Sequence, residues 1–125
     1  MIKVDIDITE HSIIYRVTGH APKDHKDADR ICAAASELDY SLLAVLNAEN
    51  LCKKMTRGPA AGFMELYMGA TEKTVHFVTV IFVGYKLLQE EYGKDVVSIK
   101  FKVHGKEFPE DQNIEDFIQS IKAYA

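Results

Sequence analysis

Residues 19–36 read Gly-His-Ala-Pro-Lys-Asp-His-Lys-Asp-Ala-Asp-Arg-Ile-Cys-Ala-Ala-Ala-Ser and contain the two side chains of this chain best suited to covalent chemistry, His20 and Cys32. His20 stands where a predicted strand ends. Cys32 stands just inside the start of a predicted helix, with Asp29 as its expected cap. The thiolate is the nucleophilic form of cysteine, and the positive end of a helix dipole favours negative charge. An imidazole at the facing strand end would serve as the base of a Cys–His hydrolase pair. Taken singly, each residue has a plainer reading: Cys32 as a small core thiol in an Ala-rich helix, His20 as a surface histidine, Asp29 as a cap alone. Ser36, one turn beyond Cys32, either supports the site by hydrogen bonding or bonds back to its own helix.

These residues need elements to hold them. Ile2, Val4, Ile6 and Ile8 alternate with polar residues, as a strand with one buried face does. A turn at Thr9–Ser12 leads to a second strand, Ile13–Gly19, so that a hairpin delivers His20 at its far end. Asp29–Glu49 reads as a helix with Ile31, Ala35, Leu38, Leu42, Val45 and Leu46 along one face. Arg57-Gly-Pro59 breaks the next segment, and Gly62–Met68 reads as a strand. A second helix is expected from Thr71, its N-cap, to about Tyr92, with Gly93 closing it. Val96–Val103 alternates as a last core strand, and Asn113–Tyr124 forms a short helix. Strands and helices mix without a strict βαβ rhythm, which predicts an α+β domain, a sheet with two principal helices packed on it.

Composition narrows the function classes. The 125 residues suit one domain, 1–125, and 47% hydrophobic content supports a packed core. A net charge of −4 provides no chain-wide basic footprint for nucleic acid. The charged start Met1-Ile-Lys-Val-Asp lacks a signal peptide's apolar stretch, and no apolar run is expected to span a bilayer. Two cysteines without an export signal read as reduced thiols, hence a cytoplasmic setting. Cys52, with no histidine at a matching position and lysines beside it, is expected to be a structural or partly exposed thiol. His20, His25 and Cys32 with Asp24, Asp27 or Asp29 lack the spacings of a zinc site, so no metal is expected. Gly58-Pro-Ala-Ala-Gly62 does not match a phosphate-binding loop.

The order Gly-His-Ala, a loop, then Asp-x-x-Cys-Ala-Ala-x-Ser resembles the ribosomal-processing cysteine proteases of Firmicutes and related bacteria. His20 and Cys32 are twelve residues apart, as in that family, and Asp29 and Ser36 fall on its motif positions. Gly19, Ala21, Ala33 and Ala34 match as well, and the resemblance extends over about residues 1–103. It implies a cytoplasmic, homodimeric cysteine endopeptidase without cofactor, with Cys32 as nucleophile and His20 as base. Its partner would be the precursor of a large-subunit ribosomal protein, whose N-terminal extension it removes during ribosome assembly. Two features depart from the pattern: Asp27 replaces a glycine two residues before the motif aspartate, and residues 103–125 extend beyond the family core. A non-catalytic peptide- or ribosomal-protein-binding paralogue and a small-molecule thiol hydrolase are the alternatives. The Pro22–Ala28 loop is expected to be mobile, with few groups to bury.

Overall fold

The computed structural model describes residues 1–57 and 62–124. Among the described residues, a six-stranded mixed sheet has three helices against one of its faces, an α+β fold. Strand β1 (Ile2–Ile8) and β2 (Ser12–Thr18) form the expected antiparallel hairpin, closed where the Thr9 amide donates to the Ser12 carbonyl at 2.8 Å. Next come α1 (Ala28–Ala48), then β3 (Cys52–Arg57) and β4 (Phe63–Gly69) as a second hairpin, with β4 paired to β2. Helix α2 (Glu72–Tyr92) leads to β5 (Val97–Val103), which lies parallel to β1. A two-residue strand β6 (Lys106–Glu107) and helix α3 (Ile114–Tyr124) complete the chain, and the strand order is β3-β4-β2-β1-β5-β6.

Period-2 alternation decides which face is covered. Val4, Val17, Met64 and Ile99 share one row across the sheet; Ile6, Tyr15, Leu66 and Phe101 share the next, and all are buried under the helices. The other face is solvated. There Thr56, Glu65, Arg16, Asp5 and Lys100 stand side by side across five strands, so opposite charges alternate along the row. The Tyr67 hydroxyl and then Arg16 Nε donate to the Glu65 carboxylate, and these bonds hold its pKa below the ordinary value.

Helix α2 starts and stops as its sequence predicts. The Thr71 side chain accepts from the Thr74 amide at 3.1 Å while Thr74 Oγ1 accepts from the Thr71 amide at 2.9 Å, and Gly93 ends the helix at φ +99°. Strands β3 and β6 were not apparent in the sequence: β3 runs through Lys53 and Lys54 at the sheet edge without apolar alternation, and β6 has only two residues. The break expected at Arg57-Gly-Pro59 falls largely on residues outside those described. Val45, expected in the core, is 38% exposed, because the buried stripe of α1 runs Ile31, Ala35, Asp39, Leu42, Leu46. Contrary to expectation, α1 is long and apolar enough by length and composition to span a membrane, a test that the core helix of a soluble protein also passes. Here that stripe faces the sheet.

Segment 104–124 packs into the same core. Phe82, Phe101, Phe108 and Phe117 form a ring cluster with centroids 4.8–6.0 Å apart. Glu110 secures the approach to α3 by accepting from the Ile99 amide (3.1 Å) and Gln89 Nε2 (2.8 Å).

One buried polar cluster ties α1 to the sheet and to α2. Asp39 Oδ1 accepts from the Tyr15 hydroxyl at 2.7 Å and from the Tyr85 hydroxyl at 2.6 Å. Burial, then the neighbouring charge of Asp39, raises the Tyr85 pKa, and burial raises that of Tyr15 still more clearly than any neighbour does. Both folded values lie above the unfolded value of about 10. The stability they supply is therefore complete below about pH 10 and is lost as pH climbs beyond it, by up to ~1.4 kcal/mol per pH unit for each tyrosine. The melting temperature is expected to drop steeply in that range, and Tyr85→Phe to make the drop shallower. An identical slope in the variant would show that the phenol does not titrate on unfolding.

Candidate active site

His20 follows β2 and is held by backbone constraints on each side. Gly19 has φ +90°, donates its amide to the Gly62 carbonyl at 2.7 Å, and has no room for a side chain: a Cβ there would lie 2.1 Å from the Met1 carbonyl oxygen. Only glycine fits. Ala21, on the other side, is 4% exposed and pins the chain to the core. Between them the His20 side chain is exposed, its imidazole resting on Gly62, where a Cβ would come within 2.4 Å of Nε2.

Cys32 sits in the second turn of α1, half-buried against the core, directly after the fully buried Ile31. Asp29, Cys32 and Ser36 line one stripe of the helix, at i, i+3 and i+7, with Asp29 and Ser36 exposed. Of the two motif alanines that follow it, Ala33 is exposed and Ala34 half-buried. Asp29 is not the cap that the sequence predicts. Helix α1 begins one residue earlier, at Ala28; the N-cap position is Asp27, and its side chain makes no capping bond.

His25 takes over that task. A turn closed by the His25 amide on the Pro22 carbonyl (3.0 Å) brings its imidazole over the helix start, where Nδ1 accepts from the Asp27 amide at 3.0 Å. Its carbonyl accepts from the Ala28 amide at 3.1 Å. The first amides of a helix lack intrahelical acceptors, and with two of the four used by His25, those of Asp29 and Arg30 are left. The Pro22–Ala28 loop is thus better anchored than its charged composition predicts.

The topology places these parts together. Thr18 pairs with Lys3 and Phe63, and Ile2 pairs with Val97, so the end of β2 shares one sheet end with the starts of β1, β4 and β5. Tyr92, the last residue of α2, meets the His25 ring edge-on at 5.8 Å and brings the start of α1 to the same end. The elements bearing His20 and Cys32 therefore converge. Cys52 pairs with Met68 at the opposite end of the sheet, far from His20.

The sequence-based reading missed His25 and the Asp39 cluster. A usable signal existed for Asp39: it interrupts the apolar stripe Ile31, Ala35, Leu42, Leu46 at helical spacing.

A family model described as cysteine protease Prp matches residues 1–97, a span that includes every motif residue from Gly19 to Ser36. The chain belongs to the cysteine protease Prp family. It is a cysteine protease. Solved Prp structures share its fold. The essential ribosomal processing protease Prp from S. aureus, in complex with a covalently linked product peptide, superposes with a TM-score of 0.64 at 17% identity, covering 82% of this chain and 99% of that one. The same protease with a substrate peptide gives 0.61 at 17% identity over 82% and 100% of the two chains. SMU.848 from Streptococcus mutans gives 0.63 at 22% identity over 82% and 95%. No curated protein sequence matches the chain.

The seat of His20 in this Prp-family protease is testable. Gly62→Ala adds a methyl group where the imidazole rests, whereas Gly93→Ala, also at positive φ, adds one to open space. Each substitution is expected to cost about 1 kcal/mol through backbone strain. If His20 acts in the chemistry, only Gly62→Ala should also reduce proteolysis, by about ten-fold or more, because small displacements of a reacting group are costly. Equal activity of the two variants would show that the Gly62 contact does not seat His20.

Proposed function

We propose that this protease removes the N-terminal extension of a large-subunit ribosomal protein, with Cys32 as nucleophile and His20 as general base. The observation that favours this reading is the His20–Cys32 pair itself, set at family spacing on elements that meet at one sheet end. His20 takes the Cys32 proton, and Sγ attacks the scissile carbonyl carbon, forming a tetrahedral oxyanion. The remaining first-turn amides, of Asp29 and Arg30, suit the oxyanion by charge and position at a helix start. As the C–N bond breaks, His20 returns the proton to the leaving amine, and water then hydrolyses the thioester. Asp29 and Ser36 support the site from the same helix stripe. No cofactor is required by this chemistry.

The S. aureus enzyme bound to product and substrate peptides supports a peptide substrate here, and its description as a ribosomal processing protease supports the ribosomal precursor. A cytoplasmic homodimer completes the proposal. The test is incubation of the purified chain with the host's ribosomal protein bearing its extension, followed by intact mass. Loss of a single N-terminal fragment is expected. Tight binding with unchanged mass would favour a non-catalytic paralogue, the reading that Asp27 in place of the family glycine would suit. Hydrolysis of small thioesters with an intact precursor would favour a small-molecule hydrolase.

A further inference from the structure

We infer that His25 and Tyr92 act as a pair of positioning residues for this active site, fixing the first turn of α1 and through it the Cys32 thiol; the inference rests on the proposed role of Cys32. His20 is positioned independently, by Gly19, Ala21 and Gly62 at the sheet end. Cys32 is one helical turn from the start of α1, and that start has no side-chain cap of its own. Its amides are held instead by one residue of the connecting loop, His25, through both the imidazole and the carbonyl. Accepting at Nδ1 leaves the ring proton on Nε2 and fixes the tautomer. The same ring stands edge-on to Tyr92, whose helix ends at the Gly93 cap, where the Val96 and Val97 amides both bond to the Gly93 carbonyl at 3.2 Å. The path from a rigid helix end to the nucleophile thus has three contacts: Tyr92 to His25, His25 to the Asp27 and Ala28 amides, and the first turn to Cys32.

The arrangement also decides which amides stay available. By occupying those of Asp27 and Ala28, His25 leaves the next two, of Asp29 and Arg30, for a ligand. A first turn released from His25 would fray and misplace both the thiol and these donors. Because the capping group belongs to the loop between the two motif residues, substrate contacts to that loop would bear directly on the nucleophile.

The test uses His25→Ala, His25→Asn and Tyr92→Leu, assayed well below their melting temperatures. Loss of the imidazole should lower kcat by about ten-fold with KM changed by less than about two-fold. Asparagine reaches the amide two residues on as a side-chain turn, so His25→Asn should recover most of kcat without the ring contact. Tyr92→Leu should fall between wild type and His25→Ala, and combining it with His25→Ala should add little, since Tyr92 acts through that ring. A wild-type kcat in His25→Ala, or equal loss in the alanine and asparagine variants, would overturn the inference. Failure of the wild type to cleave the precursor would overturn the proposed function alone. The same variants then decide the positioning role through Cys32 alkylation by iodoacetamide in the free protein: a several-fold change in His25→Ala that His25→Asn reverses supports it, and equal rates refute it.

Discussion

Cys32→Ala is expected to abolish precursor cleavage, by about ten-thousand-fold or more, while leaving the fold intact. The proposed mechanism needs a thiolate at this position, and alanine leaves no atom that can form the thioester. The structural cost is small because the side chain is short and half-buried. Trimming one sulfur there should cost about 1 kcal/mol or less, far below the truncation of a buried leucine. Peptide affinity should survive, since the loop, Gly62 and the sheet end are untouched. Intact mass of the precursor after overnight incubation reads activity, and thermal melting reads the fold. His20→Ala should also fail in cleavage, and Cys52→Ala should cleave normally from its place at the other sheet end. Cleavage by Cys32→Ala at the wild-type rate would remove Cys32 from the mechanism.

The largest effect on stability is expected at Asp39, remote from the chemistry. Asp39→Ala takes the acceptor away from two buried hydroxyls at once. Tyr85 still lies 3.1 Å from the Ala35 carbonyl, whereas Tyr15, fully buried, loses its carboxylate acceptor and keeps only the Tyr85 hydroxyl beside it. An orphaned buried donor costs about 1–3 kcal/mol, and the vacated volume adds to it, so a loss of about 3 kcal/mol is expected. Asp39→Asn keeps an oxygen acceptor of the same shape without the charge, and should stay within about 1 kcal/mol of wild type. The two differ further in pH response. Burial raises the Asp39 pKa, against the pull of the two tyrosine hydrogen bonds. A carboxyl raised in the folded state contributes stability that is complete below the unfolded value of about 3.9 and is lost as pH rises through the folded value. Stability of Asp39→Asn relative to wild type should therefore grow from about pH 4 to about pH 7. Urea unfolding at both pH values decides it: a constant difference would mean that Asp39 does not change charge on unfolding.

Much of this protein is legible in its sequence, for physical reasons that act over short range. Alternation at Ile2–Ile8 and Ile13–Val17 specifies a hairpin with one buried face, because side chains on a strand alternate between faces whatever the partner is. Thr71 and Gly93 bound α2 because capping depends on residues within a turn of the helix end. The spacing of His20 and Cys32 marks the pair proposed to react, since a strand end and a helix start joined by a short loop place them in local register. Gly19 is legible only as a match to the family motif; its positive φ and its close approach to Met1 come from the fold.

Only the tertiary structure decided the rest. That β5 lies parallel to β1, and that β3 joins the sheet edge despite its lysines, depends on pairings between residues far apart in the chain, which no local period encodes. Asp39 reads locally as a polar residue on a helix and becomes the anchor of α1 only when Tyr15 and Tyr85 arrive from 24 and 46 residues away. The cap of α1 passed from Asp29 to His25 because a turn at Pro22 and the Tyr92 ring at the end of α2 place an imidazole where a carboxylate was expected. Side-chain chemistry and local backbone preference act within a few residues and can be read along the chain; partners brought in by packing exist only in the fold.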